Sequence, residues 1–112
     1  MKRGEIWWAS MSRPRGSEPG FRRPMVIISS NDFNRSLIQT VICAVITSNL
    51  NLEHAPGNFK LKKSKQGVDR DSVVNISQLI TMDKSFLTEQ VGQLNGKQIN
   101  SLNEGLRLVL TL

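Results

Sequence analysis

Two long apolar runs limit most strongly the folds that this chain can adopt. The first, MVIIS at residues 25–29, shows no alternation of polar and apolar positions, and the second is IQTVICAVI at 38–46. Such runs, rich in β-branched residues, are typical of strands that are buried on both faces. The polar stretch SNDFN lies between them and favours a turn, because Asn and Asp side chains bond to their own backbone. The two runs are therefore predicted to pair as antiparallel strands.

Shorter stretches predict further strands around this pair. They are EIWWASM at 5–11, FKLKK at 59–63 and SVVNISQL at 72–79. Residues 12–22 are rich in Gly, Pro, Ser and Arg and are predicted to form a loop, as is the stretch that contains His54, Pro56 and Gly57. Adjacent strand residues face opposite sides of a sheet, so one of Trp7 and Trp8 is expected in the core.

The C-terminal region changes to a helical period. Asn95 can cap a helix with Gln98 three residues later, and apolar residues then recur at Ile99, Leu102, Leu106 and Val109. One amphipathic helix is therefore expected on a small sheet. Several short strands with sharp turns favour a small barrel, which removes exposed sheet edges. The fold class is predicted as mainly β with a C-terminal helix (α+β), in one domain over residues 1–112.

The charge of the chain favours a polyanionic partner. Fifteen Lys and Arg against nine Asp and Glu give a net charge of +6. Residues 1–35 carry seven basic and three acidic groups, and residues 60–70 carry five and one. Two such blocks indicate a basic face that binds nucleic acid or an acidic protein, although KLKKSK can equally be a solvated loop.

The single cysteine and the N-terminus bear on the compartment. Cys43 lies inside the second apolar run, so it is expected to be a buried, inert thiol, as fits a reducing cytoplasm. The N-terminus lacks the apolar core of a signal peptide, and no segment approaches the ~18 apolar residues of a membrane span. A cytoplasmic protein without a membrane segment is expected.

A candidate site is predicted at one edge of the sheet. Antiparallel pairing of 25–29 with 38–46 would bring Arg23, which enters one strand, beside Thr47, which leaves the other. Arg23 is also restrained by the proline that follows it. Glu18 lies in the preceding loop, and a guanidinium, a hydroxyl and a carboxylate together suit phosphate chemistry. The alternative is that Arg23 pairs with Glu18 and that Thr47 merely ends its strand.

Other chemistries are poorly supported by the sequence. His54 and Cys43 are single residues of their types, which leaves no ligand set for zinc and no nucleophile triad. Asp69 and Asp71 are more typical of a surface turn than of a magnesium site. Catalysis without a metal or another cofactor is expected.

Four motifs, in order and spacing, resemble the MazF/PemK family of toxin endoribonucleases. They are RGEIWWASM at 3–11, GSEPGFRRPMVIIS at 16–29, VITS at 45–48 and TMD at 81–83, so the resemblance covers nearly the whole chain. It implies an SH3-like barrel of the MazF/PemK/CcdB type that dimerises, cuts single-stranded RNA without metal, and is neutralised by a cognate acidic antitoxin.

The resemblance also implies roles for individual residues. The catalytic arginine and threonine of the family fall on Arg23 and Thr47, and its loop acid falls on Glu18. The RNA-binding candidates are Arg13, Arg15, Ser17, Arg22, Ser48, Asn49 and Gln78. Where some PemK-like members use a His, an Arg and an Asp, this sequence has Ser17, Asn75 and Ser77, so the chain is closer to the MazF branch. Arg22 is expected to point to the opposite face from Arg23 and to matter less for cleavage.

The implied reaction is attack of a ribose 2′-OH on the adjacent phosphate, which leaves a 2′,3′-cyclic phosphate and a 5′-hydroxyl. Arg23 would stabilise the charge on the phosphate, Thr47 would hold it, and Glu18 or water would take the proton. Two other functions remain open at this point: a toxin of the same barrel class that acts on a protein such as gyrase, and an RNA-binding module without catalysis.

Overall fold

A curled antiparallel sheet forms the body of the molecule in the computed structural model, which describes residues 1–10 and 22–112. Within those residues the elements follow one another as β1 (Glu5–Ser10), β2 (Arg22–Ile27), α1 (Asn31–Arg35), β3 (Thr40–Thr47), a 3₁₀ helix (Leu50–His54), β4 (Phe59–Leu61), β5 (Ser72–Asp83), a second 3₁₀ helix (Lys84–Phe86), β6 (Leu87–Gln93) and α2 (Gly96–Leu110). The prediction of a mainly β fold with a C-terminal helix is confirmed.

The strands are arranged in the order β4-β5-β3-β2-β1-β6, with every neighbouring pair antiparallel. The two apolar runs pair as predicted: Met25 lies opposite Val45, and Ile27 lies opposite Cys43. The chain between them contains the short helix α1, for which Ser30 is the N-cap, rather than a simple turn. The centre of the sheet is thus built from the most apolar stretches of the sequence.

Strand β6 has no counterpart among the predicted elements. Its sequence, LTEQVGQ, contains one buried side chain, that of Leu87, so it carries little of the apolar pattern from which strands are recognised. Among the strands that the structure describes, it pairs with β1 alone, which places it at an edge of the sheet. Strand β5 is also longer than expected and runs on to Asp83.

Buried side chains form two clusters, because alternate residues of the central strands point to opposite sides of the sheet. Val26 and Ile46 belong to the cluster that α2 covers with Leu102 and Leu106. Met25 and Cys43 belong to the other, against which Trp7 packs. A strand of the centre therefore contributes apolar residues to both sides, which explains its unbroken apolar run.

The prediction that one tryptophan lies in the core is met in part, because Trp7 packs against a core cluster without being fully buried. Trp7 and Trp8 are both partly exposed. The pairing of β1 with β6 is irregular on either side of them, with register shifts between Ile6 and Trp7 and between Trp8 and Ala9. Ile6 and Ala9 take the fully buried positions of the strand instead.

The hairpin between β4 and β5 closes the curl of the sheet. It is held by backbone bonds from Ser64 N to Val68 O and from Gly67 N to Ser64 O. Its tip packs directly on Gly92 of β6, so the two ends of the strand order meet. The two edges of the sheet approach each other at this point, as expected of a small barrel.

Helix α2 begins as predicted. The Asn95 side chain accepts from Gln98 N, and the Gln98 side chain accepts from Asn95 N, which makes a complete capping box. Leu102 and Leu106 are buried, whereas Val109 is 39% exposed at the last turn. The stretch around His54, expected to be an irregular loop, contains the 3₁₀ helix, whose N-cap is Asn49.

Candidate active site

A cleft of about 330 Å³ opens at the end of the sheet where the central strand β2 begins and its neighbour β3 ends. Its walls come from β1, β2, β3, β6 and the chain that leads into β5. The lining residues are Trp8, Arg22, Arg23, Pro24, Ile46, Thr47, Ser48, Val68, Asp69, Arg70, Ser72 and Val91. Three arginines against one aspartate make the cleft positively charged, as suits a polyanionic ligand.

The strand register brings the two predicted catalytic residues together. Met25 pairs with Val45 in the β2–β3 ladder, and Arg23 and Thr47 lie two residues beyond that pair on their respective strands. Both side chains line the cleft. The predicted juxtaposition of a guanidinium and a hydroxyl is therefore present.

The Thr47 hydroxyl is oriented by the chain that follows it. Asn49 donates its backbone N–H to Thr47 Oγ1 at 3.1 Å. This bond uses an oxygen lone pair, so the hydroxyl proton is directed elsewhere and can be donated to a ligand. The Asn49 side chain is itself engaged, because it accepts from Asn51 N at the start of the 3₁₀ helix.

Arg22, Trp8 and Glu89 form a contiguous group on three neighbouring strands, β2, β1 and β6. The guanidinium carbon of Arg22 lies 4.4 Å from the centroid of the Trp8 ring. Arg22 Nη2 also lies 3.3 Å from Glu89 Oε2. The Arg22 guanidinium therefore contacts the face of the Trp8 ring and, through Nη2, the carboxylate of Glu89.

Arg22 was expected to point to the opposite face from Arg23 and was a candidate for RNA binding rather than for cleavage. Alternation along β2 does send Arg22 and Arg23 to opposite sides of the strand, as the core positions Val26 and Met25 show. Both side chains nevertheless line the cleft, because the strand begins at its mouth. Arg22 therefore belongs to the same site.

A third arginine enters the cleft from the opposite wall. Arg70 lies just before β5, and its backbone carbonyl accepts from Ser72 Oγ at 2.9 Å. Its guanidinium Nε lies 3.6 Å from Asp69 Oδ1, with both side chains largely exposed. Arg70 belongs to the second basic block of the sequence, so the two blocks meet at this cleft, while the lysines of KLKKSK are exposed, as in a solvated loop.

Arg3, in the first basic block, is used structurally instead. Its Nε donates to Ile28 O and its Nη2 donates to Asn103 Oδ1, both at 2.8 Å. Burial lowers the pKa of this guanidinium. Arg3 joins the end of β2 to α2 and is not part of the cleft lining.

The remaining predicted residues have different outcomes. Ser48 lines the cleft, whereas Asn49 and Gln78 are not among the lining residues. Gln78 lies on an irregularity of β5, where the residues opposite Ala44 and Val45 are Leu79 and Asn75, and its Oε1 accepts from the buried Asn75. The predicted residues Arg13, Arg15, Ser17 and Glu18 lie outside the described residues.

Sequence reasoning did not assign Trp8, Glu89, Asp69 or Arg70 to this site, and Asp69 was considered only as a magnesium ligand. Trp8 was examined only as a core candidate, and Glu89 lies on the strand that was not predicted. A weak signal for Arg70 existed in the charge of its block. Its proximity to Arg23 depends on the pairing of β3 with β5, in which Thr47 lies opposite Val73.

Cys43, on the far side of the sheet from α2, is unsuited to chemistry. It is a fully buried free cysteine, as predicted, and burial raises the pKa of its thiol to about 12. In residues 1–10 and 22–112, no three His, Cys, Asp or Glu side chains are grouped so that they could hold a metal ion. None of the helices described is both long and apolar enough to cross a membrane.

Comparison with protein families and curated proteins gives consistent matches over the full chain. Residues 2–110 match the family described as PemK-like, MazF-like toxin of type II toxin-antitoxin system. Endoribonuclease MazF6 of Mycobacterium tuberculosis is 43% identical over 112 residues, which are 100% of this chain and 98% of the relative. Endoribonuclease MazF of Staphylococcus saprophyticus is 38% identical over 112 residues, covering 100% of this chain and 92% of the relative.

Solved structures share the fold at much lower identity. An endoribonuclease in complex with its cognate antitoxin, from Mycobacterial species, superposes with a TM-score of 0.77 at 20% identity. The match covers 100% of this chain and 94% of that one. The curled sheet with its C-terminal helix is therefore an architecture already seen in solved structures.

Proposed function

This chain belongs to the PemK-like, MazF-like toxin family of type II toxin-antitoxin systems, and we propose that it cleaves single-stranded RNA in the cleft between β2 and β3. The observation that carries the proposal is that Arg23 and Thr47 line one cleft together with two further arginines. The names of the relatives support the activity, since those at 43% and 38% identity are called endoribonucleases.

The chemistry proposed for this site is an internal transfer within the RNA. The ribose 2′-oxygen attacks the adjacent phosphorus, a P–O2′ bond forms, and the P–O5′ bond breaks. The products are a 2′,3′-cyclic phosphate and a 5′-hydroxyl. Negative charge grows on the non-bridging oxygens in the transition state, so a fixed cation beside them lowers the barrier.

Arg23 supplies that fixed cation. A guanidinium presents two parallel N–H donors, which match two phosphoryl oxygens, and it stays positively charged in proteins. Pro24 holds the Arg23 backbone in the extended region, so the base of the side chain is fixed. We assign Arg23 an electrostatic role rather than proton transfer, for which a guanidinium is poorly suited.

Thr47 holds the phosphate in line with the 2′-OH. Its Oγ1 accepts from Asn49 N, which fixes the oxygen and leaves the proton to bond a phosphoryl oxygen. Glu18, or water, accepts the proton from the 2′-OH, and the departing O5′ takes up a proton. No step requires a metal, because Arg23 provides the positive charge that a metal ion supplies in other nucleases.

The partners follow from the same surface. The cleft is positively charged. A smaller cleft beside it, which shares Val68 with the first, is lined by Lys62. Basic side chains in both clefts can therefore bind phosphates of the RNA on either side of the cut, along a basic path. A cognate acidic antitoxin would cover this path, and one solved structure of the fold is of an endoribonuclease with its cognate antitoxin.

We further propose that residues 1–112 form one toxin domain that acts in the cytoplasm as a homodimer. Leu37 and Phe86 are exposed apolar side chains at one end of the sheet, and α2 ends with Leu108 and Leu110 exposed. Contact with a second copy would remove such side chains from water. Sedimentation showing a stable monomer at micromolar concentration would contradict the dimer.

The decisive experiment incubates the purified protein with single-stranded RNA in excess EDTA and examines the ends of the products. Cleavage with a 2′,3′-cyclic phosphate and a 5′-hydroxyl is expected. A strand in which only the ribose 5′ of the cut phosphate is deoxyribose should remain intact but still bind, because backbone contacts dominate affinity. Cleavage of the deoxy strand at the same bond would contradict the mechanism. Absence of any cleavage would contradict the activity and would favour a protein target or simple RNA binding.

A further inference from the structure

Three side chains beside the catalytic pair have an arrangement that phosphate chemistry does not require. A cation that serves only the RNA backbone needs no aromatic ring under it and gains nothing from a carboxylate beside it. Arg22 has both, with its guanidinium carbon 4.4 Å from the Trp8 centroid and Nη2 3.3 Å from Glu89 Oε2. The carboxylate even opposes phosphate binding, so the group calls for another explanation.

Strand pairing sets the three residues side by side. Trp8 lies opposite Glu89 in the β1–β6 pair, and Ser10, two residues after Trp8 and on the same face, lies opposite Arg22 in the β1–β2 pair. The group therefore stands on rigid, adjacent strands rather than on a loop. Strands of this kind can hold a planar side-chain group, here the Arg22 guanidinium, at a fixed position relative to a bound ligand.

One face of the Arg22 guanidinium is covered by the indole, while 51% of the side chain remains accessible to solvent. RNA-binding proteins stack unpaired bases on aromatic rings and on arginine planes. A base that enters the cleft can lie on the open face of the guanidinium, which makes a stack of indole, guanidinium and base. The contact from Arg22 Nη2 to Glu89 Oε2 favours this orientation of the guanidinium plane.

Glu89 has a second use once a base is stacked on Arg22. Its Oε2 faces Arg22, which leaves Oε1 as an acceptor at the rim, where 68% of the side chain is accessible. A carboxylate accepts from the exocyclic amino groups of adenine, cytosine and guanine. Uracil has no exocyclic amino group, and its N3–H is flanked by two carbonyl oxygens, which repel the carboxylate.

We propose that Trp8, Arg22 and Glu89 form a base-reading platform that stacks one RNA base on Arg22 and selects a base with an exocyclic amino group. Because Arg22 adjoins Arg23 in the chain, the base belongs to a nucleotide next to the cut phosphate. The inference rests on the proposed ribonuclease function and deepens it by naming residues that determine the cleavage sequence.

The first test maps base preference by cleavage. A randomised single-stranded RNA pool is cut by the wild type and by Glu89→Gln, and the sequences that flank the cut are compared. The wild type should disfavour uracil at one flanking position by about tenfold, and Glu89→Gln should abolish this bias, because an amide can serve uracil as a donor. The matched control is Glu104→Gln, an exposed carboxylate on α2, which should keep the wild-type bias.

The second test does not depend on cleavage. A randomised single-stranded DNA pool lacks the 2′-OH, so retention on the protein reports binding and base selection alone. Arg22→Lys keeps the charge but removes the plane, and Trp8→Leu removes the ring beneath it. Each should weaken retention about tenfold, while Trp8→Phe restores part of it and Arg35→Lys changes nothing. Circular dichroism checks that each variant is folded.

The outcomes separate the two proposals. If the wild type cuts RNA but Glu89→Gln keeps the same base bias, the platform is contradicted and the ribonuclease stands. Wild-type retention of the DNA pool by folded Arg22→Lys and Trp8→Leu likewise overturns the platform. If bases are selected from the DNA pool in a Glu89-dependent way while RNA stays uncut, the platform is supported and the ribonuclease is contradicted.

Discussion

Gly92 on β6 faces the backbone carbonyl of Gln66 so closely that a Cβ at this position would stand 1.8 Å from the carbonyl oxygen. The same Cβ would lie 2.9 Å from the Cα of Gly67. Both neighbours are backbone atoms, which cannot rotate away as the end of a side chain can. Closure of the sheet by the β4–β5 hairpin therefore depends on the absence of a side chain at Gly92.

The first prediction is that Gly92→Ala destabilises the protein by roughly 1–3 kcal/mol, as expected when a packed contact is overfilled. The hairpin leads to Val68, Asp69 and Arg70, so the cleft should also change and RNA cleavage should fall. Gly96→Ala is the control, because a Cβ there meets nothing within 4 Å and alanine favours a helix. Thermal unfolding of both variants provides the comparison, and equal melting temperatures would contradict the close contact.

The second prediction concerns Arg23 and Thr47, the proposed catalytic pair. Arg23→Ala and Thr47→Ala should each lower the cleavage rate on the order of 10²- to 10³-fold, as does the loss of one preorganised donor in other enzymes. Thr47→Ser should retain most activity, because it keeps the hydroxyl. All three proteins should fold, since both positions lie at the ends of their strands and are not fully buried. Rates measured with one RNA substrate, together with circular dichroism, provide the test.

Arg35→Ala is a suitable control for the arginine variants. Arg35 pairs with Asp32 on α1 and is exposed, so removal of its charge should leave the cleavage rate within about twofold, because exposed ion pairs contribute little. A loss as large as that in Arg23→Ala would mean that net charge, and not position, determines the rate.

The third prediction follows from the buried thiol of Cys43. Burial raises its pKa to about 12, against about 8.5 in an unfolded chain. Because the folded-state pKa is the higher one, the stabilisation is complete below about pH 8.5 and is lost as pH rises towards 12, by at most about 1.4 kcal/mol per unit. Urea unfolding at alkaline pH should show this loss in the wild type and not in Cys43→Ala.

The same residue offers a simpler measurement. Cys43 should resist alkylation in the native protein and react when the chain is unfolded in urea. Rapid labelling of the native protein at neutral pH would contradict the burial.

The fourth prediction concerns the start of α2. Asn95→Ala removes the side-chain acceptor of the capping box and should cost about 1 kcal/mol of stability. Asn100→Ala, an exposed site within the same helix, should be neutral or slightly stabilising, because alanine favours the helix interior. Chemical denaturation of the two variants measures the difference, and equal stability would mean that the cap contributes nothing.

The sequence was sufficient for those parts of the fold where one physical signal dominates. The apolar runs of β2 and β3 can be buried on both faces only in the centre of a sheet. Their pairing brings Arg23 and Thr47 to the same end of the two strands. The capping box of α2 was likewise readable, because Asn95 and Gln98 are local to each other. Local signals of this kind survive folding when tertiary contacts agree with them.

The group of Trp8, Arg22 and Glu89 could not be predicted from such signals. Glu89 lies on β6, an edge strand with little apolar pattern, so its contact with Arg22 is known only once the strand order is known. The position of Gln78 was unpredictable for a different reason. The extra residues between Asn75 and Leu79 break the alternation of β5, and nothing in their composition marks the break.

The antiparallel register of β2 and β3 has a consequence for how this gene can vary. Loss or gain of one residue inside either strand would shift Arg23 relative to Thr47 by one step and turn one of them to the other face. Changes of length between residues 28 and 39 leave the paired segments as they are. Insertions and deletions that preserve the fold should therefore occur around α1. The number of residues between Arg23 and Thr47 can then vary, while their relative position in the sheet stays constant.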